Sequence, residues 1–169
     1  CLEEAVRADP KRAEAYNSLG YLASRRREPQ KAISYWQKAI ELQPNYAHAH
    51  FSLGTTLLQL GDYSRGFAEY EWRLQLAGPA ARRPHPKWDG QPIPGKTLMI
   101  HTEQGAGDAI QFVRYLPLAA ERCGKLIAVC PADLMPLFAT LPGVAELREP
   151  GRIGVAEFDM YLPLLSLPH

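Results

Sequence analysis

The sequence has little cysteine, and its three cysteines, Cys1, Cys123 and Cys130, form no CxxC pair. A strand predicted over 125–130 would hold Cys123 and Cys130 more than ~15 Å apart, which is too far for a disulfide. The five histidines are scattered along the chain, so we expect no zinc or other metal site. Reduced thiols are typical of the cytoplasm, where we expect the protein to reside.

A surplus of charge and a long apolar run are also missing. The formal net charge is +1, from 19 basic and 18 acidic residues, which leaves no electrostatic footprint for nucleic acid. The longest apolar runs are far shorter than a membrane span, and no secretion signal opens the chain. The first residue is Cys1 rather than Met and lies in a helical pattern, so we expect a fragment of a longer protein.

An internal repeat of 34 residues fills the first half of the chain. Residues 13–46 align with 47–80, so that Leu19-Gly20 matches Leu53-Gly54 and Trp36 matches Tyr70. The tail of a further repeat covers residues 1–12. Small residues at helix crossings and a proline past the second helix resemble the tetratricopeptide repeat. In 47–80 Gly66 and Arg73 stand where alanines are expected, and the second helix is predicted from Tyr63 to Leu76.

Such repeats resemble solenoids that bind peptides or proteins in a concave groove lined by the first helix of each repeat. By repeat position, the groove residues are Asn17, Tyr21, Ser24, Arg25, Phe51, Ser52, Thr55 and Gln59. The run 25–27, three arginines, could contact an anion, but the helix dipole favours a solvated helix end. Because about three repeats are normally needed, we expect self-association or a docked peptide near Leu2, Ala5 and Val6.

A proline-rich stretch over 77–96 is predicted to be a linker, since helix cannot continue through five prolines and three glycines. Its lone tryptophan, Trp88, is expected to dock on a domain surface. Four basic residues lie in this stretch: Arg82, Arg83, His85 and Lys87. They could either keep the linker soluble or bind a phosphate group.

The second half, 97–169, alternates strand and helix patterns. Strands are predicted over 97–102, 125–130, 144–147 and 158–164, and helices over 109–120 and 131–141. This order predicts a parallel sheet, half of a doubly wound Rossmann-like fold, in which ligands bind at the carboxyl ends of the strands. The fold class expected for the chain is therefore α + α/β: helical hairpins followed by a Rossmann-like half-domain.

The segment EQGAGD, residues 103–108, follows the first of these strands. Gly105 and Gly107 would allow positive φ and the close approach of a ligand to the backbone. Bulky Ile110 departs from the dinucleotide-binding fingerprint, and the GxxxxGK[ST] phosphate loop is absent. We therefore expect neither nicotinamide nor a nucleoside triphosphate, and no cofactor.

An ordered series of motifs runs through the second half: W-D-G (88–90), G-K-T-L (95–98), E-Q-G-x-G-D (103–108), I-Q-F-x-R-Y-L-P (110–117), L-P-G-V (141–144), F-D (158–159) and L-L-S-L-P (164–168). The series resembles bacterial proteins in which tetratricopeptide repeats precede a domain similar to the family 9 glycosyltransferases, the heptosyltransferase group, of GT-B fold. In that fold the amino-terminal domain receives the acceptor and the carboxyl-terminal domain holds the sugar nucleotide. Ala106 and Cys130 depart from the family's commoner residues.

The resemblance implies a role for Asp108 as the catalytic base, which would remove the acceptor proton. The alternative is that Asp108 only stabilises the start of a helix. Glu103, Gln104, Gly105, Gly107, Gln111 and Arg114 would line the substrate cleft, although Arg114 could instead pair with Glu103. For the whole chain the resemblance implies the acceptor side of a glycosyltransferase, inactive by itself, with a glycan or protein acceptor. The alternative is a non-catalytic scaffold that acts through the repeat groove.

Overall fold

The computed structural model describes residues 9–78 and 83–169 of the chain. Contacts divide the chain into two compact units, one ending at residue 82 and one spanning 83–168. We call them the repeat unit and the sheet unit. The partial repeat near Leu2, Ala5 and Val6, and Arg82 of the proline-rich stretch, lie outside the described residues.

The repeat unit consists of helices in antiparallel pairs: α1 (Ala13–Arg25) with α2 (Pro29–Leu42), and α3 (Ala47–Gln59) with α4 (Tyr63–Tyr70). Small residues allow the paired helices to cross closely. A Cβ on Gly20 would lie 2.5 Å from Trp36 Nε1, and one on Gly54 would lie 2.6 Å from the backbone nitrogen of Tyr70. Trp36 therefore fills the space that Gly20 leaves, and it anchors the core of the unit.

The predicted single helix from Tyr63 to Leu76 is wrong, because α4 ends at Tyr70 and a separate short helix, α5, covers Arg73–Leu76. Arg73 occupies a position where the repeat expects alanine, and its guanidinium is buried. The guanidinium donates to the Glu71 carboxylate at 2.6 Å and to the Tyr70 carbonyl at 3.4 Å. Around these contacts the backbone tightens to i→i−3 bonds, as in Trp72 N to Glu69 O.

The sheet unit contains the predicted parallel sheet, which confirms the fold class. Its strands are β1 (Ile93–His101), β2 (Cys123–Val129), β3 (Glu146–Arg148) and β4 (Met160–Pro163), in the order β3-β2-β1-β4. Every neighbouring pair is parallel. The central strands are buried on both faces, at Leu98, Met99 and Ile100 in β1 and at the matching residues of β2, as their continuous apolar runs indicate.

The boundaries of both predicted helices in the sheet unit are wrong, and each helix contains a proline. The helix expected over 109–120 begins at Ala106 and splits into α6 (Ala106–Phe112), a 3-10 turn (Val113–Tyr115) and α7 (Leu116–Ala120). Pro117 has no N–H to continue the helical ladder, so the backbone tightens before it. The helix expected over 131–141 shrinks to a 3-10 turn (Ala132–Leu134) and α8 (Met135–Phe138), which carries Pro136 in its first turn.

The proline-rich stretch is partly built into the sheet unit. β1 begins at Ile93, four residues earlier than predicted, with an irregular register between Ile93 and Thr97. Upstream, Trp88 N donates to Tyr161 O at 2.8 Å, and Tyr161 N donates to Pro86 O at 3.2 Å. The Trp88 side chain is buried, and its Nε1 donates to Gln91 O. The expectation that Trp88 docks on a domain is confirmed.

Candidate functional site

The segment 103–108 lies at the carboxyl end of β1. From β1 the chain continues to β2 on one side, whereas β4 lies on the other side of β1. The strand order therefore reverses between β1 and β4, which makes this edge the topological switch point of the sheet. After β1, Thr102 N donates to Val129 O, and the chain then passes through Glu103 and Gln104 into α6.

The two glycines of this segment do not use the positive φ that glycine allows. Gly105 is extended, with φ −68° and ψ 167°, and neither Gly105 nor Gly107 has positive φ. A Cβ added to either residue would meet nothing within 4 Å. The backbone at both positions is therefore open without a left-handed conformation, and the approach of a ligand remains a prediction.

Asp108 lies in the first turn of α6 and is half-buried. Gln111 follows one turn after Asp108 and Arg114 one turn after Gln111. Both are exposed, and Arg114 Nε donates to the Gln111 carbonyl at 2.8 Å. Glu103 is half-buried and Gln104 is exposed, just before α6. The structure thus brings all the predicted cleft residues to one continuous segment that begins at the switch point.

Two further residues lie at the same edge of the sheet, and the sequence had assigned neither of them to the site. His101, the last residue of β1, stacks against Tyr161 with ring centroids 6.2 Å apart. Cys130, just past β2, is fully buried, and burial raises its pKa to about 11, with the charge of Asp133 as the smaller cause. A thiol with that pKa stays protonated at neutral pH, so Cys130 serves packing rather than nucleophilic chemistry.

The predicted groove residues lie on α1 and α3 as the repeat period requires. Tyr21 is 57% exposed, and Ser24, Arg25 and Gln59 are exposed as well. Asn17, Phe51, Ser52 and Thr55 are half-buried. The Phe51 ring packs against Tyr70 at 5.4 Å, and Thr55 Oγ1 donates to the Phe51 carbonyl. The α1 side therefore offers more free side-chain surface than the α3 side.

A buried histidine, which the sequence analysis did not single out, joins three parts of the repeat unit. His50 of α3 places Nδ1 2.5 Å from a Glu69 carboxylate oxygen and Nε2 2.9 Å from the Pro44 carbonyl. Its ring stacks on Trp72 at 3.9 Å and 4°. Both partners are hydrogen-bond acceptors, and the imidazole between them ties the turn between repeats to α4. The sequence offered one signal for this residue: His50 stands at the repeat position that Tyr16 occupies one period earlier.

Within residues 9–78 and 83–169, no three histidine, cysteine, aspartate or glutamate side chains cluster as metal ligands. Over the same ranges, no helix has the length and apolar character needed to cross a membrane.

Two family models, both described as tetratricopeptide repeat, match the chain over residues 13–46 and 35–66. The repeat unit is therefore a tetratricopeptide-repeat protein-interaction module. Among curated proteins, FlbA of Caulobacter vibrioides is 32% identical over 152 residues, which cover 84% of this chain. The chain spans about a quarter (26%) of the length of FlbA.

Three solved structures are similar to parts of the chain. MamA is 33% identical with a TM-score of 0.42, over 45% of this chain and 42% of its own. YrrB, titled a TPR protein with an unusual peptide-binding site, is 21% identical with a TM-score of 0.43, over 50% and 41%. A mutant O-GlcNAc transferase of Thermobaculum terrenum is 16% identical with a TM-score of 0.42, over 87% and 36%.

Proposed function

We propose that this chain joins a tetratricopeptide protein-binding module to the acceptor-side domain of a cytoplasmic GT-B glycosyltransferase. The observation that carries the proposal is the position of residues 103–108 at the switch point between β1 and β4. Ligands of doubly wound sheets bind at such crevices. The E-Q-G-x-G-D motif, which is part of the series that resembles the heptosyltransferase group, lies at this switch point.

Asp108 is the base in this proposal. Transfer of a sugar to a hydroxyl needs a group that takes the acceptor proton while the new bond forms, and a carboxylate within hydrogen-bond reach can do so. Asp108 is only half-buried, and Gly105 and Gly107 before it leave the backbone uncovered. An acceptor can therefore reach the carboxylate from the side of the two glycines. Glu103, Gln104, Gln111 and Arg114 would position it.

The test uses the longest reading frame that contains this chain, assayed for transfer from a panel of UDP-, GDP- and ADP-sugars. Asp108→Asn keeps the size of the side chain but removes the base, and loss of general-base catalysis typically lowers the rate ~10²–10⁴-fold. Asp133→Asn is the matched control, because Asp133 opens the turn after β2 as Asp108 opens the helix after β1. It should keep most of the activity at an equal melting temperature.

Two outcomes would contradict the catalytic part. If Asp108→Asn retains most of the turnover, the aspartate only opens a helix. If the wild-type protein transfers no sugar from the panel, the sheet unit is a scaffold and the repeats carry the function.

The second part of the proposal is that a peptide or protein partner binds along α1 and α3. Its support is the exposed aromatic and polar surface at the groove positions, which includes Tyr21. Peptides selected from a random library on the 169-residue chain should lose affinity when Tyr21 becomes alanine. Tyr63→Ala is the control, since Tyr63 of α4 is equally exposed (64%) but is not a groove residue. Equal losses in both variants, or no selected peptide at all, would contradict the groove.

A further inference from the structure

Three consecutive arginines, Arg25, Arg26 and Arg27, occupy the end of α1 and the turn into α2. We call them the arginine cluster. All three are exposed, and none makes an ion pair or a side-chain hydrogen bond with another residue of the described ranges. Two other exposed cations of the unit are paired, Lys31 with Glu28 and Arg65 with Asp62. The cluster is thus a concentrated charge that the fold leaves without a counterion.

The second repeat shows that the turn itself does not require these charges. One period later the same positions hold Gln59, Leu60 and Gly61. The two turns share one hydrogen-bond pattern, in which Glu28 N donates to Ala23 O and Asp62 N donates to Leu57 O, both at 3.0 Å. Since the uncharged sequence closes the same turn, the arginines serve something other than the turn.

Arg27 is moreover an unfavourable residue for its place. Its φ is +60°, and it is the one described residue other than glycine with positive φ. Its counterpart Gly61 has φ +84°. A left-handed backbone disfavours every residue that carries a Cβ, arginine included. A side chain kept at an exposed position against a conformational penalty indicates a use for that side chain.

The excess of charge is local. Residues 9–27 contain five bases (Lys11, Arg12, Arg25, Arg26 and Arg27) and two acids (Asp9 and Glu14), which gives +3. The whole chain carries only +1, so the remaining residues together carry −2. Like charges on adjacent residues repel one another, and an acidic partner would relieve that repulsion.

The surroundings of the cluster indicate which kind of anion fits. Tyr21 lies one turn before Arg25 on the same face of α1 and is 57% exposed. A guanidinium pairs with a carboxylate through two parallel hydrogen bonds, and the tyrosine ring beside it offers an apolar contact. We propose that the arginine cluster and Tyr21 dock a peptide segment of a partner protein that carries acidic side chains beside an apolar one. This inference rests on the proposed groove and names the chemistry of its ligand.

The experiment compares three forms of the 169-residue chain in selections from a random peptide library. The first is the wild type. The second carries Arg25→Gln, Arg26→Leu and Arg27→Gly, which transplants the second turn into the first and preserves the fold. The third carries Lys31→Gln, Lys38→Gln and Arg65→Gln. It loses the same number of positive charges, three, but from α2 and α4. Circular dichroism verifies that all three forms are folded.

We expect acidic residues to be enriched in the peptides selected on the wild type and on the third form, but not on the second. The dissociation constant of a selected acidic peptide should rise on the order of tenfold in the second form and should also rise with added salt.

Peptides without acidic enrichment on the wild type would overturn the inference while leaving the groove intact. Equal weakening in the second and third forms would overturn it too, because net charge alone would then explain binding. Tighter binding of a single-stranded oligonucleotide than of the acidic peptide would also overturn it.

Discussion

At the scale of single residues, the two repeats act as controls for each other. Arg27 and Gly61 close equivalent turns with equivalent backbone bonds, and both have positive φ. Only glycine adopts this conformation without a steric penalty. The sequence alone predicted the alignment of the two positions, but it could not show that the backbone at Arg27 is left-handed, since arginine favours the opposite φ.

Arg27→Gly should therefore stabilise the repeat unit. Relief of the left-handed strain is worth about 1–2 kcal/mol, and the greater freedom of glycine in the unfolded chain offsets about 0.4–1 kcal/mol of it. The free energy of unfolding should rise by the difference between these two effects. Urea unfolding followed by circular dichroism measures it. Arg26→Gly is the control, because Arg26 has φ −84° and gains nothing from glycine. An equal rise in both variants would mean that relief of charge repulsion, not of strain, is the cause.

His50 permits a second prediction at this scale. His50→Phe keeps a ring against Trp72 but removes the two ring nitrogens that contact Glu69 and the Pro44 carbonyl. Losing a hydrogen bond to a charged group costs about 1.5–3 kcal/mol, and we expect a destabilisation of about that size in urea unfolding. His48→Phe, at an exposed position of the same helix, should change stability by no more than about 0.5 kcal/mol. Similar values for the two variants would show that the His50 bonds contribute little.

At the scale of elements, the sequence predicted which segments are helices and strands better than where they end. Apolar runs located the four strands, and the repeat period located the first three helices. The errors arise where one residue disturbs a regular pattern. Arg73 buries its charge and breaks the last helix of the repeat unit, and Pro117 divides the helix after β1. Such effects depend on contacts and local backbone bonds that apolar periodicity does not record.

Helix α6 permits a prediction at this scale. Gly107 lies inside the helix, and a Cβ there would meet nothing within 4 Å. Gly107→Ala should therefore stabilise the sheet unit by about 0.5–1 kcal/mol, the usual difference between the two residues in a helix. If the protein is a glycosyltransferase whose acceptor approaches this backbone, as we propose, turnover should fall although stability rises. Unchanged turnover would show that no ligand comes close to Gly107.

At the scale of the whole molecule, the sequence predicted the fold class and the edge of the sheet where residues 103–108 lie. It did not predict that β4 lies beside β1, because the segment before β4 contains no regular helix to indicate a crossover. Two hydrogen bonds between the middle of β1 and the residue just before β4 hold that placement. Thr97 N donates to an Asp159 carboxylate oxygen at 2.7 Å, and Asp159 N donates to Thr97 O at 2.9 Å.

The 169-residue chain itself should not bind sugar nucleotides tightly. In GT-B enzymes, which the motifs resemble, the donor belongs to the carboxyl-terminal domain, whereas we propose that the sheet unit is the acceptor side. Isothermal titration calorimetry against UDP-, GDP- and ADP-sugars should detect no binding stronger than millimolar. A micromolar dissociation constant for any of them would contradict the assignment of this unit to the acceptor side.

The bond between Thr97 and Asp159 also affects how the chain acquires its structure. It joins residues 62 positions apart, and Trp88 meets Tyr161 over a still longer span. The helices of the repeat unit, in contrast, pack against their neighbours along the chain. Folding slows as the mean sequence separation of contacts grows, since the entropy of loop closure is lost before the contact forms. The helical hairpins should thus form first, and the parallel sheet should complete in a later, slower kinetic phase.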